Sequence, residues 1–386
     1  MRNFGMEVCR KIVIPFLSPR PMTESIKINW YRTKVDRAVM SELMRRSDAR
    51  AFLQAGGQLL VYAITGGLAW LAASRLHADN WMWMLPLLLL ALFVHGTNAN
   101  FMGGIACHEL CHKTPFATQF WNTFFLRIYA FLSWFDPVGY RASHIRHHQV
   151  TVHTDHDGEI MQPLGLDWHG FKFVLKALTC DPLWVWKNVR FMFAAAFGDL
   201  TQDGFFKSAW LQRVVPETDA KGRREIITWA RIVVAGHLAL ATLFILTGNW
   251  ILILVVNFGT FYCGWLGVLC GAPQHAGLSS DVNDFRLNTR TYTCGPIPAF
   301  CYWNMQYHVE HHMFPAVPFY NLDRLHAAMA HDLPPVTHGL WATWRHIQSI
   351  LQRQRREPGY VYVPPLPRND GDRADDATLL KEAAQG

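Results

Sequence analysis

Charge is what this chain has least of. Asp, Glu, Lys and Arg make up 17% of its 386 residues and hydrophobic residues 51%, whereas charged residues fill about 25% of a typical soluble protein. The length would fit two soluble domains or one membrane domain with cytosolic appendages, and the scarcity of charge selects the second. Paired cysteines are missing as well. Cys9, Cys107, Cys111, Cys180, Cys263, Cys270, Cys294 and Cys301 form no C-x-x-C pair and no zinc-ribbon spacing. Such thiols, several of them in apolar runs, fit a reduced, cytosol-facing protein. No secretory signal stands out, since the apolar piece Ile12–Leu17 is shorter than an h-region of about 7–15 residues. No internal repeat is visible. The net charge of +7 does not point to nucleic acid, because the basic residues flank hydrophobic runs and so suit an anionic cytoplasmic membrane surface.

Apolar and aromatic residues are plentiful instead, with 16 Trp and 25 Phe, a composition expected where long apolar spans meet membrane interfaces. The run from Ala51 to Ser74 holds no charged residue, and a short link, Arg75 to Asn80, leads to a second run from Trp81 to Ile105. Two more, Ile226–Thr247 and Trp250–Cys270, are joined by a tight Thr-Gly-Asn. Each is long enough for the roughly 20 residues that a bilayer crossing needs. The first 50 residues carry 11 Lys or Arg against 5 Asp or Glu, which places the N-terminus in the cytoplasm. Two other apolar patches, Phe116–Phe135 with Arg127 inside and Phe171–Phe197 broken by Asp181–Pro182, Lys187 and Arg190, read as helices half-sunk in the interface. Apolar residues at helical spacing (Val35, Val39, Leu43, Met44) predict an amphipathic helix over Thr33–Arg50.

The expected architecture is therefore an all-α membrane protein with four transmembrane helices in two hairpins and a cytosolic helical cap. Residues 1–50 form an N-terminal segment, 51–345 the membrane domain with spans of about 51–74, 81–105, 226–247 and 250–270, and 346–386 a C-terminal tail. From Pro364 that tail is Pro- then Asp-rich and reads as disordered.

Hairpin geometry brings the ends of the second and fourth spans to one side, and the histidines collect there. His108 and His112 stand at i and i+4 in His-Glu-Leu-Cys-His. His144, His147 and His148 in His-Ile-Arg-His-His, and His308, His311 and His312 in His-Val-Glu-His-His, repeat the spacing i, i+3, i+4. On a helix that spacing turns three imidazoles to one face. His275 follows the fourth span. Nine nitrogens exceed the four that a tetrahedral zinc takes and suit two metal ions of four or five nitrogens each, with iron, copper, nickel and zinc all compatible with imidazole. The Glu-x-x-His pattern of soluble di-iron bundles is absent.

In order and spacing these three boxes resemble those of the integral-membrane fatty acid desaturase and hydroxylase superfamily, over about residues 35–345. The resemblance implies a non-haem site of two Fe ions that activates O2, with His275 as an additional ligand. It also implies a lipid or acyl substrate and an external electron donor of ferredoxin, rubredoxin or cytochrome b5 type, since no such domain is visible in the chain. The flanks of the last box, Asn304 to Pro318, look closest to the sphingolipid-desaturase-like branch, whereas Gln-His-Ala-Gly-Leu is similar to membrane alkane hydroxylases. Desaturation of a fatty-acyl chain is the expected reaction, with hydroxylation of an alkyl or lipid substrate as the alternative. A multi-pass protein of the bacterial inner membrane, rather than of the endoplasmic reticulum, is the expected setting, with the N-terminus and boxes cytoplasmic.

Around the ligands, Glu109 and Glu310 could accept the second N–H of a ligating imidazole. Asn304 lies one helical turn before His308. Asp155, Asp157 and Glu159, in Asp-His-Asp-Gly-Glu, could hold histidines by hydrogen bonds. His153 and His156 fall outside the spacing and read as non-ligands, and Cys107 and Cys111 as packing residues. Two rivals remain. His-Glu-Leu-Cys-His is also the H-E-x-x-H of zinc metalloproteases, with Glu109 as base, but that reading leaves the two triplets unused. A metal carrier would place its ligands within the spans, where His95 and His237 are the clearest candidates.

Overall fold

The computed structural model describes residues 26–159, 171–357 and 359–367. The chain is helix-rich, with a single two-stranded pair among the described residues. The helices are α1 (Arg37–Leu43), α2 (Asp48–Ser74), α3 (Trp81–Cys111), α4 (Gln119–Leu132), α5 (Pro137–Val150), α6 (Phe171–Leu178), α7 (Pro182–Ala196), α8 (Ser208–Val214) and α9 (Ala220–Leu246). The short α10 (Trp265–Gly271), α11 (Phe285–Asn288), α12 (Pro296–Cys301), α13 (His308–Met313) and α14 (Leu322–Met329) precede the longer α15 (Leu340–Arg356). Strands β1 (Tyr292–Thr293) and β2 (Thr337–His338) pair in parallel.

Among the described residues three helices are long and apolar enough to cross a membrane: α2, α3 and α9. The expected amphipathic helix over 33–50 is instead two helices. The Asp36 carboxylate caps α1 by accepting from the amides of Ala38 and Val39, and Ser47 opens α2 by accepting from that of Arg50. Two caps so close together break the run. α2 and α3 pack against each other. α3 is not uniform: Met102–Ala106 forms a π turn immediately before the first histidine box. A π turn shifts the register of all side chains beyond it, so it sets the direction in which His108 and His112 leave the helix.

The stretch expected as a continuous helix over 250–270 is broken. It runs as a π segment, Ile253–Asn257, a 3₁₀ turn, Gly259–Phe261, an extended Tyr262, and then α10. Irregular backbone frees carbonyls that lipid cannot satisfy, and neighbouring side chains take them up. The Val255 carbonyl accepts from Tyr62 Oη at 2.9 Å and lies 3.0 Å from His95 Nε2, while Asn257 O accepts from Trp134 Nε1 at 2.6 Å. Asn100 Nδ2 donates to Thr260 O. His95 and His237 therefore have structural partners within the bundle, the latter against Phe131 O at 2.9 Å. The segment travels the length of α3. Near its start Asn249 accepts from Trp70 Nε1, close to the α2–α3 turn, and beyond its end His275 lies beside the histidine boxes.

The remaining elements cover that end of the bundle. Asp136 caps α5 from its side chain, with Pro137 at the first helical position, and Asp181–Pro182 does the same for α7. Arg127 of α4, the charge that weakened the Phe116–Phe135 run as a span, is exposed and lies over the Trp229 ring at 4.6 Å. A buried cluster of Arg286 with Asp284 and Asp332, joined by the hydroxyls of Tyr31 and Thr33, ties the N-terminal segment to the cap. Residues 346–356, assigned to the tail from sequence, form the second half of α15, whose Ile347, Ile350 and Leu351 are buried. The chain beyond 367 lies outside the described residues.

Close approach of α3 to the broken segment rests on Gly96, where a Cβ would stand 2.3 Å from the Tyr262 ring and 2.7 Å from its carbonyl oxygen. Gly96→Val is expected to destabilise the protein by about 1–3 kcal/mol, the usual cost of overpacking, read as a lower melting temperature in detergent beside an unchanged Gly67→Ala control, where a Cβ meets nothing within 4 Å.

Candidate metal centre

The cap end of the bundle gathers nine imidazoles into two groups. His108, His112, His144, His148 and His311 form one, and His147, His275, His308 and His312 the other, with one ring nitrogen of each residue within 4.8 Å of the rest of its group. Each α5 or α13 triplet is split between them. His144 and His148 go to the first group and His147 to the second; His311 goes to the first and His308 and His312 to the second. A helix advances by 100° per residue, so the i and i+4 positions share one direction and i+3 diverges by 60°. One triplet can thus serve two neighbouring centres. The second group is buried throughout, while His112 and His148 leave the first half-buried on one side.

Contacts between the nitrogens are close. His144 Nε2 lies 3.0 Å from His112 Nε2 and 2.9 Å from His148 Nε2, and His312 Nε2 lies 3.1 Å from His308 Nε2 and 3.3 Å from His147 Nε2. What the opposite nitrogens do decides whether these are hydrogen bonds. His144 Nδ1 faces Glu159 at 2.9 Å and His147 Nδ1 faces Asp157 at 2.8 Å. His275 Nδ1 donates to Asn288 O at 2.8 Å. Thr151 spends its hydroxyl proton on His147 O, so its oxygen accepts from His312 Nδ1 at 3.2 Å. With Nδ1 donating, each Nε2 carries a lone pair and no proton. Between His147 and His312, when both rings are neutral, two lone pairs then face each other.

A cation resolves that repulsion, and the spacings have the right size. Metal–imidazole bonds of about 2.0–2.1 Å set neighbouring nitrogens about 2.8–3.4 Å apart, from right-angled to tetrahedral geometry. His108 Nε2 and His311 Nε2, both buried, have no hydrogen-bond partner. The donor set thus fits one metal ion in each group. The protonation states agree. Burial, reinforced by neighbouring imidazoles, holds His144, His148, His308, His311 and His312 well below the ordinary histidine value, and His275 at about 3. They are neutral at physiological pH, the form that ligates. His147 is the exception. Burial lowers it, but the Asp157 carboxylate outweighs burial and raises it. Burial likewise pushes Asp157 up and Glu159 to about 7, with His147 drawing Asp157 back below its ordinary value.

The carboxylates proposed from sequence divide. Glu109 stands between His108 Nδ1, at 3.0 Å, and His311 Nδ1, at 3.5 Å. Asp157 and Glu159 hold histidines as described, and Gly158 between them lets their loop approach Trp210, where a Cβ would meet the indole at 2.3 Å. Asp155 is exposed and is not brought to the histidines; its carbonyl accepts from Arg213. Glu310 sits inside the last box but points away from both groups, accepting from Thr291 Oγ1 and pairing with His326. On α13 it lies two residues from both His308 and His312, toward the opposite side of the helix. Asn304 does not share a helical face with His308, because α13 begins at His308 and Asn304 takes a left-handed backbone, φ 54°, after α12. Its side chain bonds Phe319 O and Gln306.

His153 and His156 lie outside both groups, and Cys107 and Cys111 are buried beside the first box, with Cys111 Sγ donating to His108 O. Two supports escaped the sequence reading. The Gln274 amide is 3.2 Å from His308 Nδ1, and Thr151 reaches His312. Their signals were positional: Gln274 adjoins His275, and Thr151 comes four residues after His147.

The protease pattern does not survive this geometry. Its Glu109 would have to meet water, and it is 1% exposed and turned onto His108. The fatty acid desaturase family model matches residues 79–344 of the 386, a stretch that includes all nine histidines. No curated protein matches the chain.

Asp157→Asn, which keeps the shape but removes the charge behind His147, is expected to weaken metal retention by about 10–100-fold, measured as metal content against a graded chelator. The metal-free chain should also lose stability in acid. Between about 3 and 6.5 the unfolded chain protonates at His275 and the folded chain does not, so stability falls as pH drops through about 6.5 and is complete above it. His147 and Glu159, both raised in the fold, bind protons more readily in the folded chain and oppose this, against the larger set of lowered histidines. Melting of metal-stripped protein should therefore plateau above about pH 7 and decline steadily below.

Proposed function

The chain belongs to the fatty acid desaturase family, and on that premise we propose that it is a membrane di-iron, O2-dependent oxidoreductase that desaturates a fatty-acyl or related lipid chain. The observation that carries the reading is the pair of imidazole groups, five and four nitrogens, with lone pairs turned inward at ligand spacing. An all-nitrogen set of this kind suits a borderline metal such as iron. Bound iron would supply O2 activation and the removal of hydrogen from an unactivated CH2 group.

The chain's own residues do the rest. Asp157, Glu159, Asn288 O and Thr151 fix the tautomers of four ligands, so that Nε2 is free on each. Burial of the second group excludes water, which protects reactive chemistry from solvent. The half-buried edge at His112 and His148 is the side on which the first group is open. Desaturation and hydroxylation share this site and part after the first hydrogen has been removed: loss of the neighbouring hydrogen gives a double bond, and return of oxygen gives an alcohol. The flanks of the last box favour a lipid chain related to those of sphingolipid desaturases, while the Gln-His-Ala-Gly-Leu piece around His275 favours the hydroxylating alternative.

For topology, the proposal keeps four crossings in two hairpins. The broken segment 250–271 supports the fourth, since it starts beside the α2–α3 turn and ends by the histidines, and α3 covers the same distance. N-terminal basic charge supports a cytoplasmic position for the boxes, most naturally in a bacterial inner membrane. Electrons would come from a separate ferredoxin, rubredoxin or cytochrome b5 type protein, for which exposed Lys and Arg offer complementary charge.

Purified protein is expected to hold about two irons per chain where a protease would hold one zinc. His312→Ala, His148→Ala and His108→Ala should each lose iron and product formation. Retention of full iron and activity by all three would end the assignment. With reductant, O2 and candidate lipids, mass analysis should show a product two hydrogens lighter; a gain of one oxygen would assign hydroxylation instead.

A further inference from the structure

Away from the histidine groups, the cap encloses a second cavity of about 370 Å³, within the range of small-molecule sites. Its polar lining includes Arg290, His326, His338, His346, Thr291 and Thr337, with no carboxylate on the wall among the described residues. Arg290 carries the argument. It is 7% exposed. Its Nη1 donates to the carbonyls of Pro273 and Ala276, at 2.6 and 3.0 Å, and its backbone N–H to Gln274 O at 2.8 Å. Its Nη2 is buried without a partner.

A comparison within the fold shows how unusual that is. Arg286 is equally buried, at 7% exposed, and is met by two carboxylates, Asp284 and Asp332. Buried charges are ordinarily paired, and among the described residues Arg290 has no carboxylate partner. Burial lowers it to about 10, so it is still a cation at neutral pH. Glu310, behind this wall, is already committed to His326 and Thr291. His338 and His346 bring ring nitrogens from β2 and α15, and Tyr362 of the last described segment closes the far side against His346.

We propose that this cavity is an anion site for a phosphate group, carried either on a soluble phosphoester or on a phospholipid headgroup. The unpartnered Nη2 of Arg290, the imidazoles of His338 and His346 and the Thr337 hydroxyl line one wall, and a phosphate, with more acceptor oxygens than a carboxylate, can take donors from all of them. The site is separate from the metal groups but coupled to one of them. The same guanidinium holds the carbonyls on both sides of His275, so an anion on Nη2 would steady the loop that presents that histidine. The inference does not depend on which lipid reaction the metal centre performs.

The test uses the full chain in phosphatidylcholine nanodiscs, with equilibrium dialysis of labelled inorganic phosphate as one arm and nanodiscs containing phosphatidate, read by melting temperature, as the other. The expected result is saturable uptake of one phosphate per chain, or a phosphatidate-dependent rise in melting temperature; the arm that responds identifies the source. His346→Glu and His338→Glu place a carboxylate on the wall without touching Arg290, and each should weaken the response by about tenfold or more while metal content stays at the wild-type level. No saturable response in either arm, or a response unchanged in both variants, overturns the proposal. Arg290→Lys adds a second readout: it should weaken phosphate uptake while keeping a charge, and its metal content reports on the His275 loop.

Discussion

Imidazole nitrogens turned toward one another at ligand spacing are the contact on which this structure turns. His147 and His312, when both rings are neutral, meet without a proton between them because each has already spent its Nδ1 proton, one on Asp157 and the other on Thr151. Four rings, His144, His147, His275 and His312, have an Nδ1 partner of this kind, and lone pairs turned toward one another are repulsive for the protein alone and favourable once a cation sits among them. The surrounding fold supplies the force that holds it together beforehand. Asp157 and Glu159 are delivered by a loop pinned through Gly158 under Trp210, and Trp210 Nε1 in turn donates to Ser143 on α5. The candidate metal centre is therefore built from outside inward, with His144 and His147 oriented by carboxylates that are themselves held in place.

The apolar bundle does for distant parts of the chain what a loop cannot. α3 brings the first box to one end, and the broken segment after α9 brings His275 to the same end more than 160 residues later. Irregular backbone in an apolar layer needs polar side chains nearby, which explains why Tyr62, His95, Asn100 and Trp134 are spent on the carbonyls of residues 255–260. The π turn in α3 and the one at Ile253–Asn257 are two uses of one device. The first aims the histidine box, and the second lets the returning chain press against α3 at Gly96 and Gly259.

The centre was plainly legible in residue order, and its supports only unevenly. The nine histidines stood out because i, i+3, i+4 spacing is a helical property that needs no partner to be recognised. Asp157 and Glu159 were legible as a group, but only the fold separates them from Asp155, two residues away and facing solvent. Glu310 and Asn304 misled for one reason: both were judged by helical phase relative to His308, while α13 begins only at His308 and turns Glu310 toward His326. The two caps at Asp36 and Ser47 were present as letters, yet the apolar periodicity through 33–50 concealed the break between them.

Composition and spacing, then, determined by themselves that the chain is a helical protein with spans long enough for a membrane, and that it concentrates imidazoles in three boxes. Those are local properties: hydropathy sums over a run and a helix repeats every 3.6 residues, so no distant contact can change them. What only the tertiary structure decided is how the boxes are shared. No triplet belongs to one centre; each contributes to both, and the five-and-four division arises from the crossing of α3, α5 and α13 together with the loop carrying His275. The same holds for Arg290, an ordinary basic residue in the sequence, whose lack of a carboxylate partner depends on what every neighbouring element places beside it. Lone pairs and charges are assigned by their partners, and partners far apart in the chain meet only in the fold.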